Sequence, residues 1–405
     1  MIFCVATRVS SCVFGVFKGM GDLLCASPVI LTELQEDRAV HLLLFPDFAL
    51  AAFCELIDFS PHGDRLHLHS MPTSANPMKW KRFMKEMRNL HPETVWISPC
   101  APAADSSWKI PLMLRIIQSL FWRDARMVGA DTERFSRLFH QRLPVDRSLP
   151  MRLREWSAYY LFRKGSLPER PPKVNFVSEI TARRQIPPLY DLVIHPGAKA
   201  KNRIWPIQKY DSLVKALPRD WKIAFLGLPN DLESVKTTMS SERPVTYVSG
   251  TIRESLETLA SARLLLVMDS GNMHFAQVLD VPAVAVFGPT DPKAVIETEG
   301  CVDAVYKQRF PCQPCMKAVC NQPEIYCLTS VEPGVVAERL KVQWEKLQKR
   351  SNVPAHLVGI SVAEAFTPDS STRSQSYAPA ESSPMFDGRS GHHAYAERAQ
   401  RAGLK

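Results

Sequence analysis

Short apolar runs that end at Gly, Pro or Asp recur along the chain and alternate with stretches of helical periodicity. Apolar runs of this kind are typical of buried parallel strands. The strands predicted from them are Cys12–Phe17, Val40–Phe45, Thr94–Ser98 and Ala125–Gly129 in the first half, and Leu192–His195, Lys222–Leu226, Val245–Val248, Leu264–Met268 and Ala283–Phe287 in the second. The alternation predicts an α/β fold with parallel sheets.

The segments between these strands predict helices and divide the chain. The predicted helices are Leu23–Gln35, Met78–Leu90, Leu112–Phe121, Ile207–Ala216, Asp231–Met239, Ile252–Ala262, Met273–Val278 and Val331–Gln348. A chain of 405 residues is long enough for two domains. We predict a first domain over 1–170, a Pro-rich linker over 171–188, a second domain over 189–349 and a disordered tail over 350–405.

The most informative stretch is Val267–Pro292, VMDSGNMHFAQVLDVPAVAVFGPTDP. One apolar run ends at Asp269, a helix is predicted to start near Met273, and a second run ends in Gly288-Pro289-Thr290. Two strand ends and a helix N-terminus therefore meet in one place. In an open α/β sheet, this is where a phosphate-bearing ligand binds.

This stretch also resembles the signature of glycosyltransferase family 9, the ADP-heptose:lipopolysaccharide heptosyltransferases. The resemblance extends over Cys12–Leu340 and includes Gly19-Met20-Gly21-Asp22 with Pro28, His195-Pro196-Gly197-Ala198 followed by Trp205-Pro206, Phe225–Asp231, and Cys312–Cys327. Several motifs in the same order are far more specific than any one of them. The resemblance implies the GT-B fold, in which two Rossmann-like parallel-sheet domains face a central cleft.

The resemblance implies an inverting transfer of heptose from ADP-heptose to a saccharide acceptor, most simply the lipopolysaccharide inner core. The first domain would bind the acceptor and the second the nucleotide sugar. Transfer would need no cofactor, and no Asp-x-Asp pair follows an apolar strand to hold a donor-bridging divalent metal. Alternatives are another nucleotide sugar, a protein acceptor, a nucleotide-sugar epimerase, or a non-catalytic nucleotide- or glycan-binding protein.

Asp22 lies between a predicted strand and a predicted helix, with Gly19 and Gly21 beside it to allow close approach of a ligand. The resemblance implies that Asp22 is the general base that takes the proton of the acceptor hydroxyl. The alternative is a helix N-cap, a position that favours Asp.

The predicted donor and phosphate site combines cations, helix-start amides and polar side chains. Its residues are Lys199, Arg203, Asp231, Asp269, Ser270, Gly271, Met273, His274, Gly288 and Thr290, with Lys201 as a further cation. Positive charge and oriented amides would stabilise the leaving diphosphate. The family commonly has Lys where Arg203 stands and Pro where Asn272 stands. Alternative interpretations are a basic surface loop for the cations, an N-cap for Asp231, loop ordering for Asp269 and a structural role for His274.

Four of the ten cysteines form the pattern Cys312-x2-Cys315-x4-Cys320-x6-Cys327. Four thiolates at short spacing suit a structural zinc or iron ion, which would not be needed for transfer. Disulfides and unliganded thiols are the alternatives. The six other cysteines, Cys4, Cys12, Cys25, Cys54, Cys100 and Cys301, are predicted to be ordinary core thiols.

The net charge of +9 arises mainly in residues 109–173, which carry 14 Lys and Arg against 6 Asp and Glu together with many aromatic residues. This segment predicts a surface for an anionic lipid-linked acceptor or for the inner membrane, or else solvated helices with aromatics packed inward. Nucleic acid is not expected, since no recognised binding motif accompanies the charge. No transmembrane run or signal peptide is recognised, which predicts a cytoplasmic protein, peripheral at most.

Overall fold

The computed structural model describes residues 10–351, apart from 18, 46–47, 73–74, 99–108, 132–135, 167–169, 298–299 and 318, and the side chains of 16, 48, 350 and 351. Apart from its first two residues, the predicted tail over 350–405 lies outside the described residues. Cys4 and Cys100 also lie outside them.

The first half forms a six-stranded parallel sheet. Its strands are β1 (Ser11–Phe17), β2 (Ala39–Leu44), β3 (Leu66–Ser70), β4 (Thr94–Trp96), β5 (Arg126–Ala130) and β6 (Gln141–Leu143), in the order β3-β2-β1-β4-β5-β6. Cys12 of the central strand pairs with Val40 on one side and with Thr94 on the other. The helices are α1 (Met20–Gln35), α2 (Phe48–Cys54), α3 (Pro77–Arg88), α4 (Lys109–Phe121) and α5 (Met151–Lys164).

The second half repeats this architecture. Its strands are β7 (Tyr190–Ile194), β8 (Ile223–Leu226), β9 (Thr246–Val248), β10 (Ala262–Met268), β11 (Ala283–Phe287) and β12 (Val302–Tyr306), in the order β12-β11-β10-β7-β8-β9. The helices are α6 (Ser178–Thr181), α7 (Lys209–Ala216), α8 (Pro229–Thr238), α9 (Ile252–Ala260), α10 (Gly271–Leu279), α11 (Tyr326–Thr329) and α12 (Pro333–Ser351). In both halves the first strand lies beside the fourth. The predicted α/β class with parallel sheets is confirmed.

One apolar core is shared by the facing sides of the two sheets. Side chains alternate along each strand, so Phe14 of β1 and Val267 of β10 join this shared core, while Val13 and Leu266 face separate cores on the outer sides. The packing of α1 against α10 lies between the sheets.

Three aromatic rings strengthen the shared core. The ring of Phe53 in α2 stacks on that of Phe275 in α10, with centroids 5.0 Å apart. Phe176, which precedes α6, packs edge-on against both. The chain between the two halves is tied to the first half by a backbone hydrogen bond from Asp58 N to Asn175 O.

Several predicted element limits are wrong. A helix, not a loop, includes Asp22, because α1 already begins at Met20. Likewise α8 begins at Pro229 and α10 at Gly271. Strands β3, β6 and β12 were not predicted, since they are short edge strands with polar residues such as His67 and Arg142 instead of apolar runs.

Helix α12 packs against the outer side of the second sheet. Val336, Ala337 and Leu340 lie in its core, and Trp344 packs on Trp221 with centroids 4.6 Å apart. Within the described residues, every helix is too short or too polar to cross a bilayer.

Candidate functional site

The carboxyl ends of β7, β8, β10 and β11 lie side by side at one edge of the second sheet. His195 follows β7, Asp269 follows β10 and Gly288 follows β11, while Asp231 lies in the first turn of the helix after β8. Because parallel strands point the same way, these motifs meet at one edge despite their separation in sequence. The structure therefore brings most of the predicted donor residues together.

Asp269 and Arg203 form an ion pair at this edge. The Nη1 atom of Arg203 donates to Oδ1 of Asp269 at 3.5 Å, and Nε lies 3.3 Å from Oδ2. Asp269 is only 4% exposed. Burial raises the pKa of this carboxyl, and the charge of Arg203 works in the opposite direction. Lys199 and Lys201 are exposed, whereas Arg203 is held against the strand end by its pair with Asp269.

Ser270 is the N-cap residue of α10, but its hydroxyl does not cap the helix. Its Oγ atom and Nδ1 of His195 are buried and have no hydrogen-bond partner among the residues that the structure describes. Burial without a partner costs about 1–3 kcal/mol for each polar group. Since a helix N-terminus also favours anions, this edge has the polarity that a phosphate-bearing ligand requires. The Met273 side chain is buried, and its amide donates to Ser270 O at 3.1 Å.

His274 fills the space between the starts of α1 and α10. A Cβ atom placed on Gly21 would lie 2.9 Å from its Cδ2 atom, and Sγ of Cys25 lies 3.9 Å from its Nδ1 atom. Burial, with smaller contributions from Arg152 and Arg203, lowers the pKa of His274 to about 4. A neutral, enclosed imidazole fits the structural alternative better than a phosphate ligand.

Asp22 is the third residue of α1, and Gly19 is the N-cap residue. The N-cap interpretation of Asp22 is therefore wrong. Its Oδ2 atom lies 3.2 Å from the position that a Cβ atom on Gly19 would occupy. Gly21, the residue before Asp22, touches the first turn of α10 near Gly271. Asp22 thus lies on the first half of the chain, next to the contact between the two helix starts.

Asp231 is the third residue of α8, whose N-cap residue is Leu228, so its N-cap interpretation is also wrong. The Oδ2 atom of Asp231 lies 3.1 Å from where a Cβ atom on Gly197 would be. This glycine therefore allows the Asp231 carboxylate to lie against the turn after β7, close to His195.

The Gly288–Thr290 loop is enclosed on its outer side. Thr290 is 1% exposed. A Cβ atom on Gly288 would lie 2.7 Å from Leu328 and 3.1 Å from Sγ of Cys327. Only glycine fits this position without movement of Cys327 and Leu328.

The four clustered cysteines lie close enough to influence one another. Cys312 is exposed, Cys315 and Cys320 are half-buried, and Cys327 is buried. Burial, together with the other three cysteines, raises the pKa of Cys327 to about 11. The part of the chain that the structure describes contains no group of three or more His, Cys, Asp or Glu side chains arranged to hold a metal ion. All four thiols are free.

The aromatic residues of the basic segment mostly pack inward. Trp122, Phe139, Trp156 and Tyr159 are buried, as the alternative interpretation predicted, and Phe135 lies outside the described residues. Several of the segment's cations form ion pairs within the fold, among them Arg163 with Glu33, Lys164 with Glu36 and Arg152 with Glu297. Part of the local positive charge is therefore paired within the fold.

The pair of Arg152 and Glu297 was not predicted, although it links α5 to the second half beside the site. Nε of Arg152 lies 2.7 Å from Oε1 of Glu297, and Nη2 donates to Oε2 at 2.9 Å. The two residues are 145 positions apart, so no local pattern joins them.

Part of this chain matches the model of a known protein family. Residues 173–326 match glycosyltransferase family 9 (heptosyltransferase). The resemblance predicted from the motifs is confirmed. The matched segment contains His195, Arg203, Asp231, Asp269 and the Gly288–Thr290 loop, whereas Asp22 lies outside it.

Individual relatives agree with this match. Lipopolysaccharide heptosyltransferase 1 of Pseudomonas aeruginosa is 33% identical over 99 residues, which are 21% of this chain and 28% of the relative. The alignment thus spans less than a third of that protein. The ADP-heptose lipopolysaccharide heptosyltransferase II structure from E. coli covers 85% of this chain and all of its own, with a TM-score of 0.59 and 16% identity.

A second solved structure is the iron-containing dodecameric glycosyltransferase TibC from enterotoxigenic E. coli. It covers 85% of this chain and 78% of its own, with a TM-score of 0.52 and 13% identity. At these identities the structures support the fold alone. The predicted GT-B architecture of two parallel-sheet halves is confirmed.

Proposed function

We propose that this chain is an inverting glycosyltransferase that transfers heptose from ADP-heptose to a saccharide acceptor, most simply the inner core of lipopolysaccharide. The observation that carries the proposal is the set of buried polar atoms at the carboxyl edge of the second sheet. Ser270 Oγ and His195 Nδ1 lack partners there among the described residues, next to the start of α10 and the ion pair of Arg203. A nucleoside diphosphate supplies oxygens for such groups.

The leaving group of this reaction is a diphosphate, which gains negative charge as the glycosidic bond breaks. Arg203 and the start of α10 are the groups proposed to stabilise that charge, with Lys199 as a further cation. Because Asp269 is buried and paired with Arg203, its proposed role is to hold the guanidinium and the following loop in place. Asp231, beside Gly197, is proposed to bind the nucleotide ribose, and the Gly288–Thr290 loop to line the donor sugar.

Asp22 is the proposed general base. It would accept the proton of the acceptor hydroxyl as that oxygen attacks the anomeric carbon, and the nucleoside diphosphate would leave from the opposite face. One in-line displacement inverts the anomeric configuration and forms no covalent sugar intermediate. The position of Asp22 beside the contact between α1 and α10 supports this role.

The proposal is tested by release of ADP from ADP-heptose in the presence of an inner-core acceptor. An Asp22→Asn variant should lose on the order of 10²–10⁴-fold in turnover and keep its affinity for ADP. Asp64→Asn is a matched control, since Asp64 is exposed in a three-residue helical turn. Turnover that survives in Asp22→Asn would exclude the proposed base. A degenerate, non-catalytic protein would show no turnover in any variant.

The acceptor is proposed to be anionic and lipid-linked, with peripheral contact between the protein and the inner membrane at its inner, cytoplasmic face. Support comes from α3, where Lys79, Lys81, Arg82, Lys85 and Arg88 are all exposed. Met78, Ile116 and Leu120 on α3 and α4 expose 73%, 49% and 56% of their surface. Exposed cations beside exposed apolar side chains favour anionic lipid surfaces. Co-sedimentation with anionic and neutral vesicles tests this contact.

A structural zinc or iron ion at Cys312, Cys315, Cys320 and Cys327 also remains a proposal. The mutual influence of the four thiols supports it. The thiols would need to move together to bind one ion, since no described group of three already has that arrangement. Elemental analysis of the purified protein tests it directly. Transfer itself is proposed to need no cofactor.

A further inference from the structure

The segment Phe310–Cys327, here named the cysteine loop, contacts both walls of the proposed donor site. One wall is the Gly288–Thr290 loop after β11, and the other is the helical turn Lys201–Arg203. Three hydrogen bonds make these contacts. Two of them end at carbonyl oxygens of the first wall, and the third ends at a carbonyl oxygen of the loop itself. The loop is therefore placed to set the geometry of both walls.

Gln313 connects the cysteine loop to the first wall. Its side chain is 7% exposed, and Nε2 donates to the carbonyl oxygen of Gly288 at 2.8 Å. The Oε1 atom accepts from the backbone amides of Arg309 and Phe310 at 3.2 and 3.3 Å. Both the nitrogen and the oxygen of the Gln313 side-chain amide are therefore hydrogen-bonded, which fixes the orientation of the amide group. Met316 N adds a bond to the carbonyl oxygen of Pro289 at 3.0 Å.

Asn202 connects the loop to the second wall. It lies between Lys201 and Arg203, is 3% exposed, and donates from Nδ2 to the carbonyl oxygen of Lys317 at 2.8 Å. Arg203 is the cation paired with Asp269. A turn that is free to move would let this guanidinium leave the strand edge, so the bond from Asn202 holds the cation where a diphosphate would meet it.

We infer that Gln313 and Asn202 are positioning residues through which the cysteine loop holds the two walls of the donor site. This inference rests on the proposed function, because it names residues that act on the same nucleotide-sugar site. Neither side chain is proposed to touch the substrate. Asn202 acts through Arg203 on the diphosphate, and Gln313 acts through the Gly288–Thr290 loop on the sugar.

Replacement of Asn202 and replacement of Gln313 should therefore have different effects on ligand binding. Loss of one buried hydrogen bond corresponds to about a tenfold change in an equilibrium constant. Asn202→Ala should weaken ADP binding about tenfold. Gln313→Ala should raise the KM for ADP-heptose about tenfold, change kcat by less than about twofold, and leave ADP binding nearly unchanged. If the two residues had a purely structural role, their replacement would lower thermal stability without separate effects on ADP affinity and on the KM for ADP-heptose.

The matched control is Gln348→Ala, since Gln348 is an exposed residue of α12, away from the cysteine loop. Calorimetry gives the ADP affinities, and turnover assays give kcat and KM. If Gln313→Ala does not fold cooperatively, Gln313→Met keeps the side-chain length and removes only the polar contacts. The inference is overturned if Asn202→Ala and Gln313→Ala both match Gln348→Ala in affinity and KM.

Hydrogen–deuterium exchange of wild type and variants separates this inference from the proposed function. Asn202→Ala should speed exchange of the amides at 201–203, and the Gln313 variants should speed exchange of the amides of Gly288 and Thr290, each severalfold without any nucleotide. If wild-type protein binds no nucleotide, the proposed function fails, and the exchange result still decides whether these residues hold the two walls. Unchanged exchange in both variants would contradict the inference.

Discussion

The two halves of the chain share one strand order, yet the carboxyl edges of their sheets differ in how their buried polar groups are satisfied. At the first sheet, Glu155 is fully buried and accepts from Trp96 Nε1 and Ser98 Oγ, both at 2.7 Å. At the second sheet, Ser270 Oγ and His195 Nδ1 are buried, and within the described part of the chain neither has a hydrogen-bond partner. The same architecture therefore ends in a closed polar network on one side and in unpaired groups on the other.

This difference supports the second edge as the proposed ligand site. A satisfied network rigidifies the fold, whereas unpaired buried groups lower stability unless something binds them. The second edge also carries the start of α10 and the ion pair of Arg203 with Asp269. The contrast can be tested by variants that should affect stability at the first edge and binding at the second.

Acid should destabilise the protein through three enclosed histidines, and this is the largest expected effect. Burial lowers the pKa of His41, His195 and His274 to about 4, against about 6.5 in an unfolded chain. Between these values the unfolded state binds more protons, so stability falls as pH drops from about 6.5 to 4 and is unaffected above 7.

The expected loss amounts to several kcal/mol, since one pKa unit corresponds to about 1.36 kcal/mol for each group. Urea unfolding at a series of pH values measures it. His41→Gln should flatten the pH dependence, whereas His91→Gln, at an exposed position, should leave it unchanged. A free energy of unfolding that does not change between pH 6.5 and 4 would contradict the burial of these rings.

Replacing Glu155 should break the closed network at the first edge. Glu155→Ala leaves the Trp96 indole and the Ser98 hydroxyl buried without their acceptor, which should cost about 3 kcal/mol of unfolding free energy. Glu338→Ala is the matched control, because Glu338 is an exposed helical residue in α12. Chemical denaturation compares the two, and equal stabilities would show that the network is not needed.

Replacing Ser270 should lower ligand affinity without lowering stability, in contrast to replacing Glu155. It should also have the smallest effect. Ser270→Ala removes a buried hydroxyl that has no partner, so thermal stability should stay equal or rise slightly. The affinity for ADP should fall by about threefold to tenfold if the hydroxyl accepts or donates a bond to the diphosphate. Calorimetry and thermal unfolding on the same samples measure both quantities. A clear loss of stability with unchanged affinity would remove Ser270 from the proposed site.

Much of the fold follows from local pattern. The central strands β1, β10 and β11 are nearly continuous apolar runs because both of their faces are buried, and their limits were predicted within one or two residues. Edge strands such as β3 and β12 carry His or Asp on a partly exposed face, so they lack this signal. The helix starts predicted at Leu23 and Asp231 are too late, because the acidic residues Asp22 and Asp231 also suit the third helical position.

The candidate site likewise contains some residues that local pattern predicts and others that it does not. The residues after strands could be predicted, because strand ends in a parallel sheet meet at one edge. Asn202, Gln313 and the pair of Arg152 with Glu297 could not, since each depends on a contact between distant segments. Which of three nearby cations pairs with Asp269 was also open until the fold placed Arg203 against it.

The central claim is that the second edge binds the nucleotide of a sugar donor, and calorimetric titration with ADP tests it most directly. UDP and GDP are the controls, and a cooperative thermal transition shows that the sample is folded. The account predicts saturable binding of ADP and much weaker binding of UDP and GDP. Selective binding of UDP or GDP would overturn the ADP-heptose donor. A folded protein that binds none of the three would contradict the claim itself.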